Sequence, residues 1–230
     1  AMSWTFPAGM LEKSLGREKK VTLDDLATVI FTSGSTGEPK GVMLTHYNVM
    51  ANVEQMTQAL GFRHTDRILG MLPFFHSFGY TVTIWLPATL SASVVYYPNP
   101  LDAQAIGTMV REYRANYLLA TPTFLQTYIR RVPPEDFISL ETVIVGAEKL
   151  SQRTAEAFQE RFGVRPLEGY GCTECAPVVA VNTRDFRAPG FRQVGAKSGR
   201  IGHPLPGVSV RIVDPDTMQP LPLDTPGLML

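Results

Sequence analysis

A glycine-rich stretch near the start of the chain contains residue types that can bind phosphate. Residues 31–41 read FTSGSTGEPKG, in which hydroxyl side chains alternate with glycines and Lys40 follows Pro39. Glycine lets backbone N–H groups approach an anion closely, and a lysine adds positive charge. A P-loop is excluded, because its lysine comes directly after glycine and directly before Ser or Thr. A flexible Gly/Ser loop is the alternative, but an apolar strand predicted at 28–31 and a helix-like segment after the loop favour a binding loop.

A second glycine-flanked segment combines three side chains that suit a nucleotide. Residues 169–174 read GYGCTE and follow a strand predicted at 165–168. Ligands of open α/β sheets bind beyond the carboxyl ends of the strands, which is where this segment lies. An aromatic ring can stack on a planar base, a hydroxyl can reach a phosphate, and a carboxylate can ligate magnesium, and Tyr170, Thr173 and Glu174 provide these groups. An ordinary structural turn is the alternative.

Further candidates follow other predicted strands. Residues 146–148, Gly-Ala-Glu, lie between a strand predicted at 142–145 and a helix capped by Ser151. An ordinary turn remains the alternative there. Residues 73–79, PFFHSFG, contain His76, and a lone histidine is more often packed than catalytic. The C-x-x-C pair Cys172 and Cys175 could be redox-active. We instead interpret both as small apolar packing residues.

Residue for residue, TSGSTGEPKG at 32–41 resembles the phosphate-loop signature of the adenylate-forming superfamily, which includes acyl-CoA synthetases, luciferases and peptide-synthetase adenylation domains. The resemblance implies that the chain binds ATP or AMP with Mg²⁺ and activates a carboxylate, mainly by positioning and charge neutralisation. The implied nucleotide-binding residues are Thr32, Ser33, Gly34, Ser35, Thr36, Gly37, Lys40, Gly146, Ala147, Glu148, Gly169, Tyr170, Gly171 and Thr173. The implied catalytic residues are Lys40, His76, Thr173 and Glu174, and the implied metal ligands are Thr36 and Glu174. The role expected of His76 is electrostatic, because a carboxylate nucleophile is already ionised near neutral pH.

Several segments also look like one subgroup, the synthetase half of bifunctional acyl-acyl carrier protein synthetases and 2-acylglycerophosphoethanolamine acyltransferases. These segments are residues 51–55, 76–79, 97–101, 146–150 and 167–179. The subgroup implies a long-chain fatty acid as substrate, an acyl carrier protein thiol as acceptor, and an acyltransferase domain in the full-length protein. A fatty-acid ligase that uses coenzyme A is the alternative enzyme. A non-catalytic nucleotide-binding module is the alternative of another class.

The elements that position these residues alternate between strands and helices. Strands are predicted at 68–72, 93–97, 117–120, 142–145 and 165–168, and helices at 45–60, 77–90, 101–113, 122–131 and 152–162. This alternation predicts an α/β fold with a mostly parallel sheet flanked by helices. We expect an irregular lead-in with a tag remnant at 1–22, the nucleotide- and acyl-binding core at 23–182, and the start of a smaller, incomplete β-rich subdomain at 183–230.

Bulk composition narrows the function further. The 230 residues contain 21 basic and 21 acidic side chains, so nucleic acid is not expected as a partner. Two cysteines and the lack of an apolar run of about 20 residues predict a cytoplasmic protein, with attachment of a longer parent protein to the inner membrane left open. The family's ribose-binding aspartate and its C-terminal lid with a catalytic lysine find no match, so we expect an excised core of a longer enzyme.

Overall fold

The computed structural model describes residues 8–14, 20–32 and 38–230. Five residues predicted to bind phosphate, Ser33, Gly34, Ser35, Thr36 and Gly37, lie outside the described part of the chain. The helices are α1 (Ala8–Ser14), α2 (His46–Leu60), α3 (residues 77–90), α4 (Ala103–Tyr113), α5 (Pro122–Arg131) and α6 (Gln152–Phe162). The strands are β1 (Leu26–Thr32), β2 (Lys40–Thr45), β3 (Arg67–Gly70), β4 (Ser93–Tyr96), β5 (Tyr117–Ala120), β6 (Thr142–Val145), β7 (Pro166–Gly171), β8 (Val178–Val181), β9 (Phe186–Ala188), β10 (Phe191–Gln193), β11 (His203–Pro204), β12 (Ile212–Val213) and β13 (Leu228–Met229).

A seven-stranded sheet forms the centre of the described structure. Its strand order is β11-β8-β7-β6-β5-β3-β4. The five neighbouring strands β7, β6, β5, β3 and β4 are parallel. Beyond them, β8 pairs antiparallel with β7, and β11 pairs antiparallel with β8. The predicted α/β fold with a mostly parallel sheet flanked by helices is therefore confirmed.

Local capping explains where the helices begin. Thr45 and Asn48 form a reciprocal capping box at the start of α2, and Gly61 ends that helix in the left-handed conformation. The side chains of Asp102 and Ser151 accept backbone N–H groups at the starts of α4 and α6. Because these polar caps satisfy exposed N–H groups of the first turn, the helices begin where the sequence pattern predicts or within two residues of it.

The two faces of the sheet bury different helices. On one face, α4, α5 and α6 cover residues such as Leu118 and Val143, and all of these side chains are buried. On the other face, α2 and α3 cover Leu119 and Ile144. Alternate residues of a strand point to opposite faces, so this division follows from the period of the strands. The candidate site lies on the second face.

Two expectations are corrected at the level of elements, and the helix predicted at 77–90 is present with an internal change of helix type. The segment after the glycine-rich loop is a strand, so β1 and β2 form an antiparallel hairpin separate from the main sheet, with Thr32 opposite Lys40. The lead-in contains helix α1, where the sequence predicts irregular structure. Helix α3 consists of α-helical Ser77–Tyr80, a π-helical segment Thr81–Trp85 and α-helical Leu86–Leu90.

The last part of the chain is rich in short strands. β11 extends the main sheet, whereas β9 pairs with β10 and β12 pairs with β13. Residues 208–213, VSVRIV, have a β-rich composition, and within them the strand is Ile212–Val213. Across the residues that the structure describes, none of the helices has both the length and the apolar character that crossing a bilayer requires.

Candidate active site

A cavity of about 170 Å³ opens at the carboxyl ends of β6 and β7. Its mouth is polar or glycine-rich and is formed by His76, Ser77, Gly146, Ala147, Gly169, Tyr170, Gly171 and Thr173. Its deeper wall is apolar and includes Met56, Leu60, Phe62, Val82, Leu119 and Ile144. Seven residues that the sequence assigned to separate segments therefore line one cavity, at the edge of the sheet where α/β proteins bind ligands.

The end of β7 requires its glycines for steric reasons. A Cβ atom on Gly171 would lie 2.2 Å from the carbonyl oxygen of Pro177, and one on Gly169 would lie 3.2 Å from the carbonyl oxygen of Ala180. The pairing of β7 with β8 also shifts register between Tyr170 and Gly171. Close backbone packing and this irregularity leave Tyr170 partly exposed at the mouth of the cavity.

A hydrogen bond between two hydroxyl groups joins the elements around the mouth. Ser77 Oγ lies 3.3 Å from Thr173 Oγ1, which connects the first turn of α3 with the 3-10 turn Thr173–Cys175. Ser77 is buried. In the sequence, Ser77 stands out only as part of the PFFHSFG motif. Its position at the start of the helix predicted at 77–90, next to His76, is the signal that the sequence offers.

His76 caps α3 and lies at the mouth. Its Nδ1 accepts a hydrogen bond from the backbone N–H of Phe78 at 3.2 Å. A neutral imidazole that accepts at Nδ1 carries its proton on Nε2, so Nε2–H is left to donate. Gly79, three residues on, has no room for a side chain, because a Cβ atom there would lie 2.2 Å from the carbonyl oxygen of Pro73. The PFFHSFG segment is thus a tightly packed turn that presents the histidine ring.

The loop after β6 contributes two of its three predicted residues to the cavity. Gly146 and Ala147 line it, and Ala147 has a left-handed φ of 67°, which is uncommon for a residue with a side chain. Glu148 does not line the cavity, and its Oε2 accepts a 2.7 Å hydrogen bond from Thr123 Oγ1. The buried carboxylate of Glu168 holds the end of the loop by accepting the backbone N–H of Leu150 at 3.0 Å.

Glu174, the predicted metal ligand, is exposed on the 3-10 turn and does not line the cavity. Among the residues that the structure describes, no group of three or more His, Cys, Asp or Glu side chains is arranged to hold a metal ion. Mg²⁺ in nucleotide sites is usually held by one or two carboxylates together with substrate phosphates. A single carboxylate beside the cavity mouth fits that kind of site and does not fit an all-protein cage.

Two other predicted residues, Thr32 and Lys40, lie opposite each other at the end of the β1–β2 hairpin. Strand β2 contacts the 3-10 turn Thr173–Cys175, and a small buried cluster that includes Ile30, Leu44 and Ala176 joins the hairpin to that turn and to α2. The strands that flank the glycine-rich loop and the segment that carries Thr173 are therefore neighbours in space.

The apolar depth of the cavity was not predicted as part of the site. Met56 and Leu60 come from the buried face of α2, and Phe62 follows that helix and packs on Tyr117 with ring centroids 4.5 Å apart. The i, i+4 spacing of Met56 and Leu60 predicts a core face. The spacing correctly predicts that this face of α2 is turned toward the core. It gives no information on whether a cavity lies between the helix and the sheet.

The prediction that both cysteines are apolar packing residues is wrong for Cys175, which is exposed. Its Sγ lies 3.3 Å from Cys172 Sγ, and both thiols are free. Partial desolvation, followed by the hydrogen bond with Cys172, raises the pKa of the Cys175 thiol to about 11. The two sulfurs thus contact each other beside Thr173 and Glu174.

A cavity beyond the ends of parallel strands, with glycines at its mouth, is the arrangement in which α/β proteins generally bind small ligands. Comparison with known families narrows this class. The chain belongs to the AMP-binding enzyme family, which it matches over residues 4–230. The resemblance to adenylate-forming enzymes is thereby confirmed at the level of the family.

Two relatives illustrate the range of that family. A long-chain-fatty-acid–CoA ligase of Escherichia coli O6:H1 is 32% identical over 209 residues, which are 89% of this chain and 36% of the relative. 4-Coumarate–CoA ligase 3 of Oryza sativa subsp. japonica is 31% identical over 212 residues, again 89% of this chain and 37% of the relative. The chain therefore spans about a third of the length of these curated relatives.

Solved structures agree on the fold. The ATP-bound crystal structure of MatB from Rhodopseudomonas palustris has a TM-score of 0.79 and 30% identity, and the match covers 92% of this chain and 40% of that one. A long-chain-fatty-acid-CoA ligase (FadD1) from Archaeoglobus fulgidus has a TM-score of 0.77 at 23% identity, with 95% of this chain and 45% of that one covered. The second match supports the fold alone.

Proposed function

We propose that this chain carries the nucleotide- and acyl-binding core of an ATP-dependent acid–thiol ligase. The observation that carries the proposal is that one cavity combines a polar mouth at the strand ends with an apolar wall. Such a cavity suits a substrate with a charged head and an apolar body. The ATP bound in the MatB crystal structure and the CoA ligation in the names of the relatives support the same function.

The nucleotide is proposed to lie at the mouth. We assign Tyr170 to stack on the base, with Gly146 and Ala147 beside it, and the Thr173 hydroxyl to contact a phosphate; the support is that all four residues line the cavity. Glu174 would hold Mg²⁺ together with phosphate oxygens. Thr32 and Lys40, which lie on the described side of the glycine-rich loop, complete the proposed phosphate contacts, and Glu148 is assigned to the border of the base.

The acid is proposed to lie with its carboxylate beside His76 and Ser77 and its apolar part in the deeper cavity. A carboxylate oxygen attacks the α-phosphorus of ATP, the new P–O bond gives the acyl-adenylate, and the bond to the departing pyrophosphate breaks. No proton has to be removed from the acid, since a carboxylate is ionised at neutral pH. The Nε2–H of His76 would donate a hydrogen bond that orients the carboxylate.

The size of the cavity bears on which acid is bound. Its 170 Å³ is close to the volume of about 150 Å³ at which an engineered protein cavity binds benzene. An aryl group or the first carbons of a fatty chain fill this space. A longer fatty acid requires the wall formed by Met56 and Phe62 to move.

For the second step we propose transfer of the acyl group to a thiol. Coenzyme A is the acceptor in the names of the relatives. The other candidate is an acyl carrier protein, which the sequence resemblance of residues 51–55, 76–79, 97–101, 146–150 and 167–179 favours. Residues 23–182 are proposed as the functional core, and residues 183–230 as part of a β-rich unit, with an acyltransferase domain elsewhere expected only if a carrier protein is the acceptor.

The direct test is ATP binding by this chain in the presence of Mg²⁺, measured by calorimetry. Thr173→Val keeps the side-chain shape but removes the hydroxyl, and we expect ATP to bind at least tenfold more weakly. Thr127→Val is the matched control, because Thr127 is a threonine outside the cavity whose hydroxyl bonds only within its own helix. If the chain binds no ATP, or if both variants bind like the parent chain, the proposal is refuted.

The acceptor is tested by the products. This chain, and any longer polypeptide that contains it, is incubated with ATP, Mg²⁺ and a panel of fatty and aryl acids, and pyrophosphate release is measured. Coenzyme A and acyl carrier protein are then compared as acceptors of the acyl group. Thioester formation with only one of them decides between the two candidates, and ATP binding without pyrophosphate release from any polypeptide would favour a non-catalytic module.

A further inference from the structure

The two cysteines lie at the mouth of the candidate site with their sulfurs in contact. Cys172 Sγ and Cys175 Sγ are 3.3 Å apart, and both thiols are free. The sequence contains no other cysteine, so no other thiol of the chain competes for either one. We propose that Cys172 and Cys175 form a reversible intramolecular disulfide, a modification site that closes a ring around Thr173 and Glu174.

The backbone between the two cysteines already has the shape that a disulfide needs. The backbone N–H of Cys175 donates to the carbonyl oxygen of Cys172 at 3.0 Å, which makes residues 172–175 a turn. The Cα atoms that close such a turn lie within about 7 Å of each other. Disulfides usually join Cα atoms that are roughly 4.4–6.8 Å apart. The turn and the 3.3 Å contact between the sulfurs therefore put the two cysteines within reach of a disulfide.

Contacts at both ends hold this turn in place. The backbone N–H of Cys172 donates to the carbonyl oxygen of Pro177 at 2.9 Å, and the carbonyl oxygen of Ala176 accepts from Thr81 Oγ1 at 3.1 Å. Ala176 is itself buried. With the main chain fixed, rotation of the two cysteine side chains has to bring the sulfurs from 3.3 Å to the bond length of about 2.0 Å.

The chemistry is thiol–disulfide exchange with a low-molecular-weight disulfide such as glutathione disulfide as the oxidant. Because the raised pKa of the Cys175 thiol disfavours its thiolate, we assign the first step to Cys172, which attacks a sulfur of the oxidant, forms a mixed disulfide and releases the first glutathione thiolate. The second cysteine then attacks the protein sulfur of the mixed disulfide and releases the second glutathione. The two protein thiols lose two electrons and two protons in total, and the oxidant takes up both pairs.

The bond changes the wall of the cavity. Cys172 lines the cavity next to Thr173, whose hydroxyl bonds Ser77. Drawing the Cys172 sulfur toward Cys175 moves the wall at this point and restricts the two residues between the cysteines. We expect the oxidised chain to bind ATP at least tenfold more weakly, and this consequence rests on the proposed function.

The disulfide is tested by incubating the reduced chain with glutathione disulfide, counting free thiols in denaturant and measuring the intact mass. The expected result is loss of both thiols, a mass lower by two hydrogens, a monomer on a non-reducing gel, and recovery by dithiothreitol. Cys172→Ser and Cys175→Ser should each give a single glutathione adduct. Two persistent free thiols, a stable double adduct, or cross-linked dimers would overturn the proposal.

Calorimetry separates this inference from the proposed function. Reduced and oxidised chains are titrated with ATP. Cys175→Ser is the control: it is treated with glutathione disulfide, its glutathione adduct is removed, and its affinity for ATP should equal the affinity measured before treatment. Equal affinity of the reduced and oxidised chains overturns the effect on the site. A reduced chain that binds no ATP refutes the proposed function, while the thiol count still decides whether the disulfide forms.

Discussion

The apolar wall of the cavity leads to a quantitative prediction about the chain length of the bound acid. Phe62 is buried, lines the cavity and packs on Tyr117. Burial of each methylene contributes about 0.8 kcal/mol, or about fourfold in affinity. In the parent chain, we therefore expect the affinity for a series of straight-chain acids to rise about fourfold per methylene and to stop rising once the chain reaches the Phe62 ring.

Phe62→Ala removes the ring, and partial relaxation of the neighbours still leaves space for at least two methylenes. Their burial is worth about 1.6 kcal/mol, so the variant should prefer acids two carbons longer by about 14-fold relative to the parent. The assay is competition of acids from four to sixteen carbons for the site, in the presence of ATP and Mg²⁺, together with pyrophosphate release where turnover occurs. An unchanged length profile in the variant would show that the acyl group does not reach Phe62.

Loss of stability has to be separated from this effect, because Phe→Ala in a core costs about 3–5 kcal/mol. Phe158→Ala is the matched control. Phe158 is fully buried on the opposite face of the sheet, where it packs with Phe137, and it does not line the cavity. It should lower the midpoint of thermal unfolding by a similar amount but leave the length profile unchanged.

Three further predictions concern single side chains. Glu174→Gln should weaken ATP binding at least about tenfold with Mg²⁺ present and leave it nearly unchanged in EDTA, as measured by calorimetry. Asn52→Ala removes hydrogen bonds of 2.7 and 3.1 Å to the backbone of β8 and should lower the free energy of unfolding by about 2–4 kcal/mol in urea, whereas the exposed Gln58→Ala should change it by less than about 0.5 kcal/mol. The hydrogen bond from the backbone N–H of Ala105 holds the pKa of Asp102 below its ordinary value. The ionised Asp102 side chain therefore stabilises the fold above the unfolded-state pKa of about 3.9, and this stabilisation is lost as the pH falls through the folded pKa. Asp102→Asn keeps the helix cap and should flatten that acid limb, which unfolding curves between pH 2 and pH 5 will show.

The bounds of several elements could be predicted from the sequence because local signals agree there. Tyr117–Ala120, Pro122–Arg131, Thr142–Val145 and Gln152–Phe162 have the bounds that their apolar runs and caps predict. In each helix, a hydroxyl side chain directly before the first turn and an apolar face point to the same start. Where the intrinsic propensity, the capping residue and the hydrophobic period predict the same bounds, contacts with distant residues do not shift those bounds.

The hairpin β1–β2 could not be predicted in the same way. The pattern after the glycine-rich loop is short, and the capping signal at Thr45 belongs to the next helix. A strand at residues 40–45 is specified by its pairing with β1 and by the burial of Leu44 against Val49 and Ala176. These are contacts between different elements, one of them with Ala176 far along the chain, and periodicity within one segment does not report them.

The candidate site also has a part that local sequence signals predict and a part that only the packing of elements determines. The mouth was predictable because glycine-flanked segments at strand ends point to one edge of the sheet, as Gly146 and Tyr170 do. The depth was not, because Met56 and Phe62 differ from ordinary core residues only in facing a space that the packing of α2 leaves. Glu148 has the residue type expected of a binding loop, but the structure pairs it with Thr123 outside the cavity.

The site depends on contacts that three parts of the structure, α2, α3 and the β1–β2 hairpin, make with one segment. The side-chain amide of Asn52 in α2 donates a hydrogen bond to the backbone carbonyl of Val178. From α3, the Thr81 hydroxyl donates to the carbonyl oxygen of Ala176, and the Ser77 hydroxyl forms a hydrogen bond with the Thr173 hydroxyl. All of these contacts reach the segment from Thr173 to Val178, and the hairpin packs on the same segment. Because that segment is held from α2, α3 and the hairpin at once, a shift of any one of them moves the proposed phosphate-binding hydroxyl. The geometry of the mouth is therefore a property of the packed core, and substitutions that loosen α2, such as Asn52→Ala, are expected to weaken ATP binding even though Asn52 does not line the cavity.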